Sequence, residues 1–338
     1  MRRTLSLAVF CAALSASADN TAQATNPPLK PAPKSVAVFV LPKEANLAEP
    51  AGRLDAELSR ALLAKNIELV DLAALFPPPE PESLEPAKKA YQAGREAYDN
   101  LDPDTAVAKF TEAIATYLKH PVEVQPAALA EAYVWLGASL QLKGDLPGAK
   151  EAFTNALLTD TNATADPQIF AKDLLTLFGE ARADLARHPN GKLQIDSIPA
   201  GGRAFVRGED VGVTPVDELD APSGRVRVVI TRPGYVPFGA FPEVPTGQPV
   251  QLKPQLEPTP GLARVQADVM KLTTPNAFKD PKLPPSAKAV GDKLSARFLV
   301  LSSVSSVNGK ATAELQAWDL LTGNKLTGIT VDASSGDA

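Results

Sequence analysis

The chain has 338 residues, of which 44% are apolar and 22% charged, and its formal net charge is −5. This composition describes a foldable chain with room for about two domains or more, and it excludes wholesale disorder. One cysteine and two histidines leave little material for thiol, imidazole or soft-metal chemistry, and the acidic balance gives no electrostatic reason to bind nucleic acid.

The prolines divide the chain by composition. Eleven of the 32 lie between residues 27 and 86 and sixteen between 189 and 285, whereas the hundred residues between these stretches hold five. Because proline lacks the amide hydrogen that a helix interior needs, we expect the middle of the chain to be helical and the flanks not.

The amino-terminal residues have the three parts of a secretory signal peptide. Met1–Arg3 is a basic start, Leu5–Leu14 an apolar run, and Ala16–Ala18 a typical cleavage site, so we predict a signal peptide over residues 1–18. Its removal also removes Cys11 and brings the formal charge to −7. No later segment approaches the ~18 apolar residues of a membrane span. The sequence predicts secretion across the inner membrane of a bacterium, to the periplasm or cell surface, with no transmembrane span in the mature chain.

The next residues predict a leader, a small folded unit and a linker. Residues 19–34 are polar and proline-rich, which is typical of a flexible leader. Val36–Leu41 is a β-prone apolar run, followed by a helical pattern and by strand character again up to Leu72. Residues 35–75 are therefore predicted to form a β-α-β unit, and the Pro-rich residues 76–86 a stiff linker.

Residues 87–188 contain an internal repeat. Spacings of 12, 4 and 3 residues occur twice, at Gly94, Ala106, Phe110 and Ala113 and again at Gly137, Ala149, Phe153 and Ala156. A small residue lets two antiparallel helices approach closely, and the phenylalanine fills the groove between them. The pattern resembles tetratricopeptide repeats, which implies helical hairpins that serve as interaction units. The repeats stand 43 residues apart, where the family has 34, and the family's tryptophan position holds Ala90 and Tyr133.

Aspartates before prolines predict where the helices start. Asp102 and Asp166 directly precede prolines and Asp145 stands two residues before one, so each is a predicted cap. Pro167–Arg187 is accordingly predicted to be the closing helix.

Residues 191–257 change to short alternating apolar runs between glycines and prolines, which predicts strands. In the third run, Val226, Val228 and Ile230 are expected to face the core, with Arg225 and Arg227 on the solvent side.

This segment resembles the PEGA-domain family. Where the family has the letters P-E-G-A, this chain has Pro199-Ala200-Gly201-Gly202. The resemblance implies a small sandwich-like β-module of the kind found in surface and envelope proteins, with no general activity, and gives structural roles to Ser197, Pro199, Gly201, Gly208, Gly212, Thr214, Pro215, Gly224, Gly234 and Tyr235.

Residues 261–334 begin with an apolar stretch, Leu262–Leu272, and then predict a short helix around Ser286–Ala296 and a hairpin whose strands, Phe298–Val307 and Ala311–Leu320, flank Asn308-Gly309. These elements either complete the unit of residues 35–75 in one α/β lobe or form with it two independent caps. The whole chain is predicted to be an α+β multidomain protein with an α/β lobe, tetratricopeptide-like hairpins and a PEGA module.

No catalytic, cofactor-binding or metal-binding residue is predicted. His120 and His188 each precede a proline at the predicted end of a helix, and Asp160–Asp166 lacks the glycine and the final glutamate of a calcium loop. We therefore predict that the protein is not an enzyme. A hydrolase with its active site in the α/β lobe remains an alternative, behind the two binding hypotheses given below.

One helical face is a candidate partner-binding surface. Lys88, Tyr91, Arg95 and Tyr98 follow at steps of three, four and three residues, and such aromatic and arginine side chains often anchor protein interfaces. The alternative is that Tyr91 and Tyr98 cover the α/β lobe or the linker. The main hypothesis is a non-enzymatic scaffold of the cell envelope that binds an envelope protein through its helical repeats and PEGA module.

The second hypothesis is an accessory protein that binds carbohydrate or peptidoglycan. Sugar sites present exposed aromatic side chains, and the PEGA module offers Phe205, Tyr235, Phe238 and Phe241. Tyr235 belongs to the signature and is expected in the core.

Overall fold

The structure is a computed structural model that describes residues 35–273 and 282–333. The predicted signal peptide and leader lie outside these residues. The fold is mixed α+β, as predicted from the sequence. Within the described residues, no helix has both the length and the apolar character needed to cross a membrane.

The described residues form one 3₁₀ helix, nine α-helices and thirteen β-strands. A short 3₁₀ helix covers Ala45–Leu47. The helices are α1 (Ala48–Leu63), α2 (Leu72–Leu75), α3 (Glu85–Asp99), α4 (Pro103–Lys119), α5 (Pro126–Leu142), α6 (Leu146–Thr159), α7 (Lys172–Arg187), α8 (Pro260–Leu272) and α9 (Pro285–Leu294). The strands are β1 (Val36–Pro42), β2 (Gly191–Ile195), β3 (Arg203–Val206), β4 (Glu209–Val213), β5 (Val216–Ala221), β6 (Gly224–Arg225), β7 (Val228–Thr231), β8 (Phe238–Ala240), β9 (Glu243–Val244), β10 (Pro249–Leu252), β11 (Phe298–Val307), β12 (Lys310–Asp319) and β13 (Asn324–Asp332).

The two ends of the described chain share one sheet. β1 runs parallel to β11, with Val36 opposite Phe298, and β11, β12 and β13 follow as an antiparallel meander. The strand order β1-β11-β12-β13 leaves β1 and β13 at the edges. Of the two arrangements that the sequence left open, the structure has the single α/β lobe. The third strand of the meander, β13, is absent from the sequence prediction.

Helices cover both faces of this sheet. Val36 and Val300 face α1, which buries Leu58 and Leu62 against them. Phe39 and its neighbours on the other face meet α8 and α9. Alternate side chains of a strand point to opposite faces, so the apolar run of β1 is explained by burial on both sides.

The second strand predicted for residues 35–75 is reduced to one bridge. Leu69 pairs in parallel with Val36, and Val70 donates its amide hydrogen to the carbonyl oxygen of Val36. Asp71 then accepts hydrogen bonds from the amides of Ala73 (3.0 Å) and Ala74 (3.1 Å), which starts α2 and turns the chain away from β1. Among the described residues, the edge of β1 is therefore covered only at its start.

The repeat predicted in the middle of the chain corresponds to two antiparallel hairpins, α3–α4 and α5–α6. A β-carbon on Gly94 would lie 2.9 Å from Cε1 of Phe110, and one on Gly137 would lie 2.3 Å from Cε1 of Phe153. Both rings are fully buried. The close approach inferred from the spacing is thus present in both hairpins.

The closing helix starts five residues later than predicted. Asp166 accepts a hydrogen bond from the amide of Gln168 (2.8 Å) in a turn, and α7 begins at Lys172. Between them, Phe170 packs on Trp135, with ring centroids 4.6 Å apart. The burial of this ring against α5 holds the segment out of the helix.

The β-module, residues 191–257, has its core between two small sheets of order β10-β2-β5 and β4-β3-β7-β8. Leu193 and Ile195 from the first sheet meet Ala204 and Ile230 from the second, and all four side chains are buried. A third, two-stranded sheet pairs β6 with β9.

Candidate functional site

The β-module contacts the helical region through two arginines. Arg227 donates from Nε to the carbonyl oxygen of Pro121 (2.7 Å) and from a terminal nitrogen to that of Val122 (3.2 Å). Arg207 donates to the carbonyl oxygen of Leu157 in α6. Burial lowers the pKa of both guanidinium groups. The predicted solvent position of Arg227 is wrong, because these carbonyl acceptors draw the side chain into the contact, where it is 7% exposed.

The same module contacts the α/β lobe through a largely buried ion pair. Arg232 donates to the carboxylate of Asp55 on α1 and to the carbonyl oxygen of Ala200. Burial raises the pKa of the Asp55 carboxyl, while the charge and hydrogen bond of Arg232 lower it. Gly52 approaches so closely that a β-carbon would lie 2.5 Å from the amide nitrogen of Ala200. The module is therefore fixed to both of its neighbours.

A polar cleft of about 400 Å³ lies along this contact and is lined by the carboxylates Glu49, Glu57, Asp196 and Asp217. Lys253 Nζ contacts Glu49 (2.5 Å) and Asp196 (3.0 Å). Two of the four acids are thus held by a cation that joins the lobe to the module. In the part of the chain that the structure describes, no three His, Cys, Asp or Glu side chains form a group that could hold a metal ion.

The PEGA-like signature builds the turns of the β-module. Thr214 Oγ1 accepts hydrogen bonds from the amides of Gly201 (3.1 Å) and Gly202 (3.0 Å) and lies 2.6 Å from Ser197 Oγ. Tyr235 is buried and accepts a hydrogen bond from the Gln266 amide (3.0 Å). Positive φ angles between +80° and +126° occur at the signature glycines Gly201, Gly208, Gly212, Gly224 and Gly234. The two signature prolines, Pro199 and Pro215, follow cis peptide bonds.

The helical face predicted to bind a partner is largely engaged inside the protein. Tyr91 donates its hydroxyl hydrogen to Glu131 Oε1 (2.6 Å). The pKa of the phenol is raised, mainly by burial and secondly by this hydrogen bond. The guanidinium carbon of Arg95 lies 3.6 Å from the centre of the Trp135 ring, and Tyr98 meets the same ring edge-on at 5.2 Å.

Lys88 lies at the exposed start of this face, paired with Glu85 (3.0 Å). Tyr91, Arg95 and Tyr98 are half-buried against α5, which is neither the lobe nor the linker. Whether their remaining surface meets a partner stays a prediction.

The aromatic side chains considered for a glycan site are not exposed. Tyr235 is buried, and Phe205, Phe238 and Phe241 are half-buried. Phe238 packs on the core shared by the β-module and the lobe, and Phe241 on the helical core. No flat aromatic platform is therefore offered by these four residues.

His120 and His188 stand at helix ends, where the sequence placed them. His188 Nδ1 lies 2.9 Å from the carbonyl oxygen of Asp184, one turn back in α7. His120 follows α4, and its Nδ1 lies 3.2 Å from Glu82 Oε2.

An apolar cleft of about 440 Å³ lies between β1, α1, α8 and the β-module. This volume is within the usual range of ligand pockets. Ser59 and Leu63 contribute to the α1 wall, and Tyr235, Leu262 and Gln266 to the wall formed by the β-module and α8. Pro199, Gly201 and Tyr235 of the PEGA-like signature line part of this cleft, but its walls come from three distant segments, so the sequence alone does not predict it.

The cleft runs along the free edge of β1. Val36 uses its backbone N–H and C=O on this edge to bond Glu68 and Val70. Because hydrogen-bonding directions alternate along a strand, the N–H and C=O groups of Val38 and Val40 point the same way. The described residues provide no hydrogen-bond partner for these four groups.

Three ionisable side chains besides Tyr235 line the cleft. Asp55 and Arg232 neutralise each other. Arg60 is exposed, forms no ion pair with a described residue, and also lines the neighbouring polar cleft together with Glu57. As far as the described residues show, the cleft thus combines apolar walls, an open strand edge and one arginine, Arg60, that forms no ion pair.

Together these features define a protein of three connected parts, an α/β lobe, helical hairpins and a central β-module, with an open strand edge in a cleft. Residues 190–260 match the family model of the PEGA domain. No helical-repeat family model matches the hairpins. No curated protein and no solved structure matches the chain.

Proposed function

We propose that the protein is an exported, non-enzymatic scaffold of the bacterial cell envelope that binds a protein partner. The signal-peptide pattern supports export, and the PEGA match supports a location outside the cytoplasm, because this domain is often found in extracellular and periplasmic proteins. The tetratricopeptide-like spacing of the hairpins supports a role in protein binding.

The observation that carries this proposal is the position of the β-module between its two neighbours. Arg227 reaches into the helical region and Arg232 into the lobe, while the module's aromatic side chains are at least half-buried. A module that directs these side chains inward acts as a connector. It holds the hairpins and the lobe in a fixed arrangement, which is what a scaffold requires.

The hairpins offer an apolar surface at one end, called here the turn patch. Leu101 is 75% exposed in the α3–α4 turn, and Leu142 and Leu146 are 44% and 51% exposed beside the α5–α6 turn. An ion pair between Lys143 and Asp104 (2.6 Å) joins the two turns. Neighbouring exposed apolar side chains are typical of protein contact sites.

In-cell photo-crosslinking tests the proposal. A photoreactive residue replaces Leu142 in the turn patch, Lys88 on the predicted face, or Lys172, an exposed control at the start of α7. We expect a discrete protein adduct from position 142 or 88 and none from position 172. An identical adduct pattern at all three positions would count against a specific partner.

The glycan alternative is tested with point variants. Removing the β-module would disconnect the hairpins from the lobe, so Phe238→Ala and Phe241→Ala are the informative changes. We expect no sedimentation of the mature chain with peptidoglycan. Sedimentation that these variants abolish would replace the proposal with a glycan-binding role, and turnover of a wall polymer that a single carboxylate substitution abolishes would make the protein an enzyme.

A further inference from the structure

The free edge of β1 offers backbone groups of the kind that bind another chain. Val38 and Val40 present two N–H and two C=O groups to the apolar cleft, and no described residue pairs with them. Unpaired strand edges are templates for strand addition, in which backbone hydrogen bonds give affinity and alternate side chains give specificity. From this arrangement we propose that the cleft binds a short extended segment of a protein partner, which adds to the sheet as a strand beside β1.

The walls determine which side chains the segment carries. Successive residues of an added strand point to opposite sides, towards α1 or towards α8. The α8 side is formed by Leu262, Tyr235 and Gln266, which favours an aliphatic residue. The α1 side carries Arg60, the cleft's only unmatched charge among the described residues, which favours an aspartate or glutamate.

The size of the open edge limits the length of the segment. The edge from Val38 to Pro42 accommodates about five extended residues. Leu63 and Val213 line the cleft and remain 57% and 44% exposed, so apolar surface is available for a segment that enters here.

A second copy of this chain does not fit the cleft. In a symmetric pair each β1 would have to reach the other, but both edges lie recessed between α1 and the β-module. The chain's own leader is also a poor match. Residues 27–34 contain four prolines, which cannot donate a backbone hydrogen bond, and two lysines, which Arg60 would repel. Residues 19–26 hold no aliphatic side chain larger than alanine for the apolar wall. A separate acidic and aliphatic segment remains the occupant that the chemistry favours.

The inference rests on the proposed function, because it names the kind of partner segment that the scaffold holds. The scaffold proposal and the cleft proposal can be refuted independently of each other. Crosslinks from the turn patch test the scaffold role without involving the cleft, and the experiment below tests the cleft without involving the turn patch.

A peptide selection tests the cleft directly. The mature chain, starting at residue 19, is used to select from a display library of random linear peptides, and the selected peptides are synthesised for binding measurements. We expect alternating sequences with an aliphatic and an acidic residue, and slower amide exchange at Val38 and Val40 when they bind. A selection that yields no binder, or binders that slow exchange elsewhere and leave Val38 and Val40 unchanged, would overturn the proposal.

Two changes to the complex identify the strand-addition mode. N-methylation of the peptide amides that face β1 keeps the side chains but removes backbone donors, so we expect about tenfold weaker binding or more. Arg60→Glu should weaken binding about fivefold to tenfold, and Arg264→Glu on the exposed side of α8 should not. Equal affinity of the methylated and unmethylated peptides would contradict strand addition.

A cleft-filling variant and two controls complete the test. Ser59→Trp places a large ring in the cleft and should abolish binding while the circular dichroism spectrum is unchanged. Val38 and Val40 amides that become exposed when residues 19–34 are deleted would identify the leader as the occupant. Protection of the Val38 and Val40 amides from exchange that increases with protein concentration would identify a second copy of the chain as the occupant. Either result would overturn the proposal.

Discussion

In the helical hairpins, the side chains that the sequence marks by their spacing already have partners inside the fold, whereas on β1 four backbone groups that no side-chain pattern marks have no partner in the part of the chain that the structure describes. Tyr91 is bonded to Glu131, and Arg95 and Tyr98 pack on Trp135. Val38 and Val40 have no partner on their outer side among the described residues.

This difference shows how periodic patterns should be interpreted. Residues that recur at helical spacing lie on one face of a helix, where they pack against a neighbouring helix. The strongest periodic signals therefore mark positions that form contacts within the fold. A strand edge has no such signal, because its hydrogen-bonding groups are common to almost all residues. The most regular positions of this chain therefore take part in packing within the fold, whereas no pattern in the sequence indicates the open edge of β1.

Removing the ring that joins the two hairpins should have a severe effect. Trp135 is buried and contacts Tyr98, Phe110 and Phe170. We expect Trp135→Ala to lower the free energy of unfolding by about 3–5 kcal/mol. Urea unfolding followed by circular dichroism measures this loss, with Leu63→Ala in the exposed part of the cleft as a control within about 0.5 kcal/mol of the unchanged protein. A loss under about 1 kcal/mol for Trp135→Ala would show that the hairpins are not packed around this ring.

The contact between the β-module and the hairpins should depend on one arginine of a neighbouring pair. Arg227→Ala leaves the partly buried carbonyl groups of Pro121 and Val122 without their donor, and we expect a loss of about 2–3 kcal/mol. Arg225→Ala, two residues away on an exposed side chain, should change stability by less than about 0.5 kcal/mol. Equal effects in thermal unfolding would mean that Arg227 is not an anchor.

The same spacing argument separates two glycines in helices. Gly137→Ala forces a β-carbon against the Phe153 ring, and we expect a loss of about 1–2 kcal/mol in urea unfolding. Gly179 lies on the exposed side of α7 with nothing within 4 Å of an added β-carbon, so Gly179→Ala should gain about 0.5–1 kcal/mol. A gain at both positions would refute the close contact in the hairpin.

The hydroxyl of Tyr91 should contribute little to stability. Tyr91→Phe removes one bond to Glu131 at the exposed side of the hairpins, and we expect a loss of about 0.5–1 kcal/mol. If the hydrogen bond between Tyr91 and Glu131 only stabilises the fold, crosslinking from position 88 should be unchanged in this variant. Lost crosslinking with unchanged stability would instead assign Tyr91 to the partner surface.

Local signals predicted the helical hairpins well. The spacing from Gly94 to Phe110, and from Gly137 to Phe153, already contained the contact that the structure shows. The caps at Asp102 and Asp145 also lie at helix starts, where they accept hydrogen bonds from Thr105 (3.2 Å) and Gly148 (3.0 Å). These features depend on residues close in sequence, so a single chain segment carries the information.

Features that depend on distant segments escaped prediction. Arg227 has the alternation of a solvent-facing residue, and only the carbonyl groups of Pro121 and Val122 explain its burial. The pairing of β1 with β11 remained one of two alternatives because about 260 residues separate the strands and no motif links them. The cleft forms only where three features meet: the pairing of β1 with β11, the turn at Asp71 and the contact of the β-module with the lobe.

Amide hydrogen exchange of the free mature chain tests the contrast between filled hairpins and an open strand edge most directly. The account predicts that the amides of Val38 and Val40 exchange about a hundredfold faster or more than those of Ala37 and Phe39, which bond β11. Equal protection of all four amides would show that the outer edge of β1 is already paired, and it would remove the open edge from the structure's candidate binding sites.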